Sequence, residues 1–227
     1  MNKLFSAALG LCALSVAASA SILVPGSALQ SPDPLTLTGL TMVANETVAL
    51  NSLTFTANLS AAVFSGTNSV CTGANCLTFA YQVSDTGGVA AGTGIIEDLT
   101  ASAFSGFTTD VGDDSLAIAA SPFIAGGTAP ATVDRSLSGP GAVISFDYPN
   151  TVGGTSDIVP GDHSSVLIVE TNATRFTTGL FSAIDGATAT VNAYAPSAAS
   201  PEPASMALIG SALIGLSFLR KRSHRKN

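Results

Sequence analysis

Tryptophan is absent from all 227 residues, and aromatic side chains of any kind make up only 6%. Sugar-binding and sugar-cleaving sites commonly stack their ligand on a large aromatic face, so this absence weighs against lectin and glycosidase readings. Histidine occurs twice, at His163 and His224, too few for a closed zinc site or a histidine-rich metal motif. No Gly-x-x-x-x-Gly-Lys loop is present to cradle phosphate, and no Gly-x-Ser-x-Gly elbow to expose a serine nucleophile. Asp162-His163-Ser164 has the residue types of a hydrolytic triad, but neighbours in sequence do not reach triad geometry, so His163 is read as a loop histidine. The central chain offers Glu46, Glu97 and Glu170 as its glutamates, with no evident carboxylate pair. The sequence supplies no catalytic constellation, and an enzyme is not expected.

Basic residues are scarce until the chain is nearly finished. Residues 21 to 200 set Arg135 and Arg175 against fourteen acids, a formal −12 that the whole-chain −7 conceals. Such a segment repels nucleic acid and anionic lipid, which excludes nonspecific binding to either. It stays soluble outside a cell and can gather divalent cations.

Cysteine is limited to Cys12, Cys71 and Cys76. Cys12 belongs to a secretory signal peptide over residues 1–20: Lys3, an apolar stretch from Leu4 to Val16, and small residues Ala18 and Ala20 at a cleavage site before Ser21. Leu11 before Cys12 is too large for a lipoprotein site. Cys71 and Cys76 enclose Thr-Gly-Ala-Asn, a turn composition, on a chain routed to an oxidising compartment. A disulfide closing that turn is expected, with zinc disfavoured by the shortage of further ligands.

What is plentiful is alternation. Leu53, Phe55, Ala57, Leu59, Ala61 and Val63 alternate with polar neighbours, as do Leu77, Phe79, Tyr81 and Val83, and Ile144, Phe146 and Tyr148. Val166 to Val169 is a continuous apolar run suited to a central strand. Phe176 to Phe181 and Ala187 to Tyr194 read as a closing hairpin across 183–186. Turn-forming clusters lie between, at 84–94, 110–115, 126–130 and 149–161. Ile95 to Phe104 admits either a helical turn or a strand. The expected fold is all-β, an antiparallel β-sandwich or jelly roll over residues 21–195, followed by a small polar linker over 196–200.

The end of the chain has a different composition. Pro201, Glu202 and Pro203 are followed by sixteen uncharged residues, Ala204 to Leu219, and then by Arg220, Lys221, Arg222, Arg225 and Lys226. Sixteen helical residues span about 24 Å, short of a ~30 Å hydrocarbon core, but the flanking cations can snorkel to the headgroups. A single C-terminal transmembrane helix over 204–219 is expected, its basic tail (220–227) cytoplasmic and residues before Pro201 outside. Ala207, Ser211 and Gly215 form a small-residue stripe of the kind common in membrane helices.

Triplet, apolar run and basic tail over 201–227 resemble the PEP-CTERM signal of exported bacterial proteins. The resemblance implies recognition by an exosortase, a membrane cysteine protease-transpeptidase that cuts near the triplet, and a Gram-negative host making exopolysaccharide. It implies passage through the Sec translocon, transient anchoring in the inner membrane with the folded part periplasmic, and delivery to the cell surface or matrix. Phe104 to Gly112 and Leu167 to Gly179 are also similar to the ectodomains of many such proteins. That similarity carries no agreed activity.

The densest acidic cluster is Asp110, Asp113 and Asp114, read as a glycine-containing loop and as the candidate calcium site; no other cofactor is expected. Threonine pairs (Thr36/Thr38, Thr54/Thr56, Thr188/Thr190) are scattered, so they are read as the polar faces of ordinary strands and not as an ice-matching ladder. The expectation is an exported envelope or matrix protein of structural or adhesive role, with calcium or glycan binding as the alternative.

Overall fold

The computed structural model describes residues 21–88, 94–115, 122–139, 141–148 and 157–198. The signal peptide, the Pro-Glu-Pro triplet, the apolar run and the basic tail lie outside the described residues. No helix occurs among those described, and hence none long and apolar enough to cross a membrane.

Twelve strands carry the fold. The first six are β1 (Ala28–Gln30), β2 (Asp33–Pro34), β3 (Thr41–Asn51), β4 (Phe55–Ser65), β5 (Leu77–Gly88) and β6 (Asp98–Ala101). The rest are β7 (Thr109–Asp114), β8 (Thr132–Arg135), β9 (Ile144–Asp147), β10 (Val166–Thr171), β11 (Phe176–Asp185) and β12 (Ala187–Pro196). They form two six-stranded sheets, ordered β2-β7-β10-β5-β4-β3 and β1-β8-β9-β6-β11-β12. All pairings are antiparallel except β2 with β7, where Asp33 and Pro34 run parallel to Gly112 and Asp113. A proline suits that edge, because the N–H it lacks is not needed there.

Alternation decides which residues face the interior. Leu59, Val63, Phe79 and Tyr81 from one sheet meet Leu99, Phe146, Phe181 and Ala189 from the other in one buried cluster. The Tyr81 and Phe181 rings lie 5.2 Å apart, and Phe79 meets Phe104 edge-on at 5.9 Å. Each such side chain contributes about 1.5–3 kcal/mol on burial. One side of the sandwich is closed by tyrosines: the Tyr81 hydroxyl donates to Tyr194 O at 2.5 Å, and the Tyr194 hydroxyl to Asn45 O at 3.2 Å.

The β10 run is central, between β7 and β5, and all six of its residues are buried. Its second face is covered because Leu37 and Phe123 pack with Ala62, Phe64, Ala80, Val166 and Ile168 into a smaller outer cluster. The crossing segment comes so close at Gly112 that a Cβ there would strike the Asp33 carbonyl oxygen and Leu35.

Several sequence expectations need correction. Residues 110–114 are not a loop but most of β7, buried between β10 and the covering segment. Leu53 does not enter β4; it is 85% exposed in the turn before it, and the buried alternation starts at Phe55. Ile95–Phe104, which admitted a helical turn or a strand, is strand over residues 98–101, as the second of those readings had it. The final hairpin is tighter than read, with Gly186 alone between β11 and β12. β12 continues through buried Pro196, and the Ser197 N–H bonds Arg175 O at 2.9 Å, so the first linker residues pack against the fold.

Candidate functional site

One end of the sandwich gathers the features that could contact a partner, and the chain leaves the fold from that end. β12 finishes at Pro196 beside Phe176, the first residue of β11, whose ring meets Tyr194 edge-on at 5.5 Å. The Cys71–Cys76 disulfide closes a loop at the same end, with Cα atoms 5.9 Å apart. Asn68 pins that loop by donating from its amide to Thr171 O at 3.0 Å, and Leu77 N–H bonds Ala173 O at 2.9 Å. Between the loop and the start of β11 lies an open groove of about 580 Å³, lined among others by Val43, Ser65, Asn75, Thr174, Arg175 and Phe176. Val43 and Phe176 are exposed there beside Arg175, an exposed cation on an otherwise acidic domain.

The acids of β7 do not converge. Asp110 and Asp114 share the face turned towards the outer cover, whereas Asp113 has the parity of Val111, which is in the main core. Burial pushes the Asp113 carboxyl up, opposed by the neighbouring Ser165 hydroxyl and reinforced by Asp114. Asp110 is 1% exposed; its Oδ2 accepts from the Ser69 hydroxyl at 2.6 Å, while Oδ1 has no hydrogen-bond partner. Across the ladder, Glu170 Oε2 accepts from the Ser69 N–H at 2.7 Å. Among the described residues, no three His, Cys, Asp or Glu side chains are placed to hold a metal ion.

A second acidic group lies on the outer face of the other sheet. Asp98 and Asp147 are cross-strand partners on β6 and β9, and Asp134 faces outward from β8. The Ser145 hydroxyl donates to Asp98 Oδ1 at 2.7 Å. Desolvation first, and then the neighbouring aspartates, push Asp98 and Asp147 above the ordinary carboxylate range. Sequence reasoning missed this trio because its members are far apart in the chain; only the strand order joins them.

Asp162-His163-Ser164 is built as a loop. His163 Nδ1 is 3.7 Å from Asp162 Oδ1 and its Nε2 is 3.3 Å from Ala125 O. The Ser164 hydroxyl accepts from the Val83 N–H at 3.1 Å. Arg135 was also missed as a key residue. It shares the inward parity of Val133, is 3% exposed, and donates to Leu23 O, Thr109 Oγ1, Gly141 O, Phe104 O and Phe107 O at 2.8–3.0 Å. Period-two counting forward from Val133 would have placed it inside.

No curated protein and no solved structure matches the chain. One family model does, over residues 201–222, five residues beyond the last strand. The chain carries the PEP-CTERM protein-sorting motif, the mark of an exported protein directed to an exosortase.

Proposed function

We propose that this protein is a structural or adhesive component of the envelope or extracellular matrix, exported as an acidic β-sandwich and associated with exopolysaccharide. In this reading the helix over 204–219 holds the chain in the inner membrane, with residues 21–200 on the periplasmic side, until an exosortase cuts near Pro201–Pro203. The observation that carries it is the matched signal beginning five residues after β12. Five extended residues reach at most about 18 Å, so the folded body waits beside the membrane with the triplet between them. A rigid Pro-Glu-Pro segment there favours extended backbone that a protease can bind.

The test is to replace Pro201, Glu202 and Pro203 together by alanine in the host. The variant is expected to accumulate uncut in the inner-membrane fraction while the unaltered protein reaches the surface or medium. Equal delivery of both overturns the reading.

The groove supports a second reading, as a glycan-binding module. Arg175 offers a forked donor suited to a carboxylated sugar, and Phe176 supplies a flat apolar face beside it. Titration calorimetry with the host polysaccharide is expected to give heat that Arg175→Ala abolishes; no heat with the unaltered protein sinks this reading.

A further inference from the structure

Among the described residues no cation answers the Asp110 carboxyl. His163 lies beside Asp162, and Arg175 and Arg135 are the arginines among them. Arg135 reaches Leu23 O and Thr109 Oγ1 behind β7, with all its hydrogen bonds on neutral oxygens. Yet Asp110 is 1% exposed, its Oδ1 is unpartnered, Asp33 on β2 repels it, and Glu170 is its cross-strand neighbour on β10. A buried carboxylate left this way costs far more than a paired one.

One group beside this strand that could become cationic is the first backbone nitrogen after the signal peptide. Ile22 forms a β-bridge with Asp110, and Leu23 N–H bonds Thr109 O at 2.9 Å, so the antiparallel register brings Ser21 alongside β7 next to Asp110. The Ser21 backbone N–H is among the groups that favour its ionised form. While Ala20 precedes it, that nitrogen is an amide with one hydrogen. Cleavage before Ser21 turns it into an ammonium with three.

We propose that signal-peptide removal completes the fold: the new Ser21 ammonium pairs with Asp110 and directs a hydrogen at the vacant Oδ1. This rests on the reading that the chain is cut between Ala20 and Ser21. The precursor, lacking the pair, is the less stable form, which suits a chain that must stay unfolded to cross a membrane. An ammonium that gains a carboxylate has a folded pKa above its unfolded ~8. While Asp110 is ionised the added stability is present below pH ~8 and is lost as pH rises through the folded value; in acid it is lost as Asp110 takes up a proton.

The full chain is exported through its own signal peptide, alongside a version with one glycine inserted between Ala20 and Ser21. Both are purified in detergent and their first residues confirmed by mass. At pH 7 the Ser21 form is expected to melt at least about 5 °C above the glycine-extended form. The gap closes in strong alkali, and Asp110→Asn removes it in both. Because Asp110→Asn can itself impair folding, the α-amine of each chain is also acetylated with trace reagent at pH 7.5. The Ser21 amine is expected to react at least tenfold more slowly than the extended one. Equal melting and equal reactivity, with both first residues confirmed, overturn the ion pair alone. A native start other than Ser21 overturns the cleavage reading, and the proposal with it.

Discussion

Arg135 enters the interior from β8 and spends its guanidinium on neutral oxygens of the N-terminal segment, the 104–107 turn, β7 and the 141 region. Hydrogen bonds from a charged donor contribute about 1.5–3 kcal/mol each in favourable cases, and a lysine cannot reproduce the planar fork. Arg135→Lys is therefore expected to lower stability by about 3 kcal/mol, read as a lower urea midpoint at unchanged slope; an unchanged midpoint contradicts the role. Composition counted this residue as a charge, and only its inward parity showed it as a tie. At Asp147 the opposite sign is expected. Like charges opposed across a ladder destabilise by roughly 0.2–1 kcal/mol, so Asp147→Asn should raise the melting temperature at pH 7 while Ser145 keeps its bond to Asp98. A lower melting temperature would show that the carboxylate is needed there.

At the level of strands, those the sequence revealed were the ones with one clean apolar face: β4 from Phe55, β5, β9, β10 and the β11–β12 hairpin. β3 escaped because it is an edge strand with intermediate and exposed residues alternating along almost its whole length, so no face of it reads as core. β7 escaped for a different reason. Thr-Asp-Val-Gly-Asp-Asp has a loop composition, yet it is buried because β10 on one side and the 33–37 crossing on the other enclose it. The three acids read as one cluster are split for that same reason: a strand sends Asp113 to the face opposite Asp110 and Asp114. Gly112 makes the enclosure testable. Gly112→Ala places a methyl against the Asp33 backbone carbonyl, and overpacking of this kind costs about 1–3 kcal/mol. A neutral outcome would mean the crossing segment is free to lift. The Cys71–Cys76 loop was legible from its turn residues and is closed as read. Replacing both cysteines by serine is expected to cost about 2 kcal/mol on the chain-entropy account, measured by thermal melting of oxidised and variant protein.

For the molecule as a whole, the acidity read from composition is shared between surface and interior. Burial is the first cause raising the carboxyls of Glu46, Asp85, Asp98, Asp113, Asp147 and Asp157. A carboxyl whose folded pKa exceeds its unfolded value binds its proton more tightly in the fold. Its favourable contribution is greatest at low pH and is lost as pH rises from the unfolded value through the folded one. The sandwich should therefore hold or gain melting temperature as pH falls from 7 to 5, each kcal/mol moving the midpoint by about 2–4 °C. A midpoint that falls steadily between pH 7 and 5 would contradict it. No such argument was needed for the sorting signal, because triplet, apolar run and cations are contiguous in the chain, whereas the groove and the aspartate trio exist only after folding. The claim beneath this account is that the C-terminal signal is cut and the acidic sandwich passed outward. Intact mass of the mature protein, taken from host cells with and without exosortase, tests it most directly. Loss of Arg220 to Asn227 only where the exosortase is present is the predicted result; retention of those residues in both samples would contradict it.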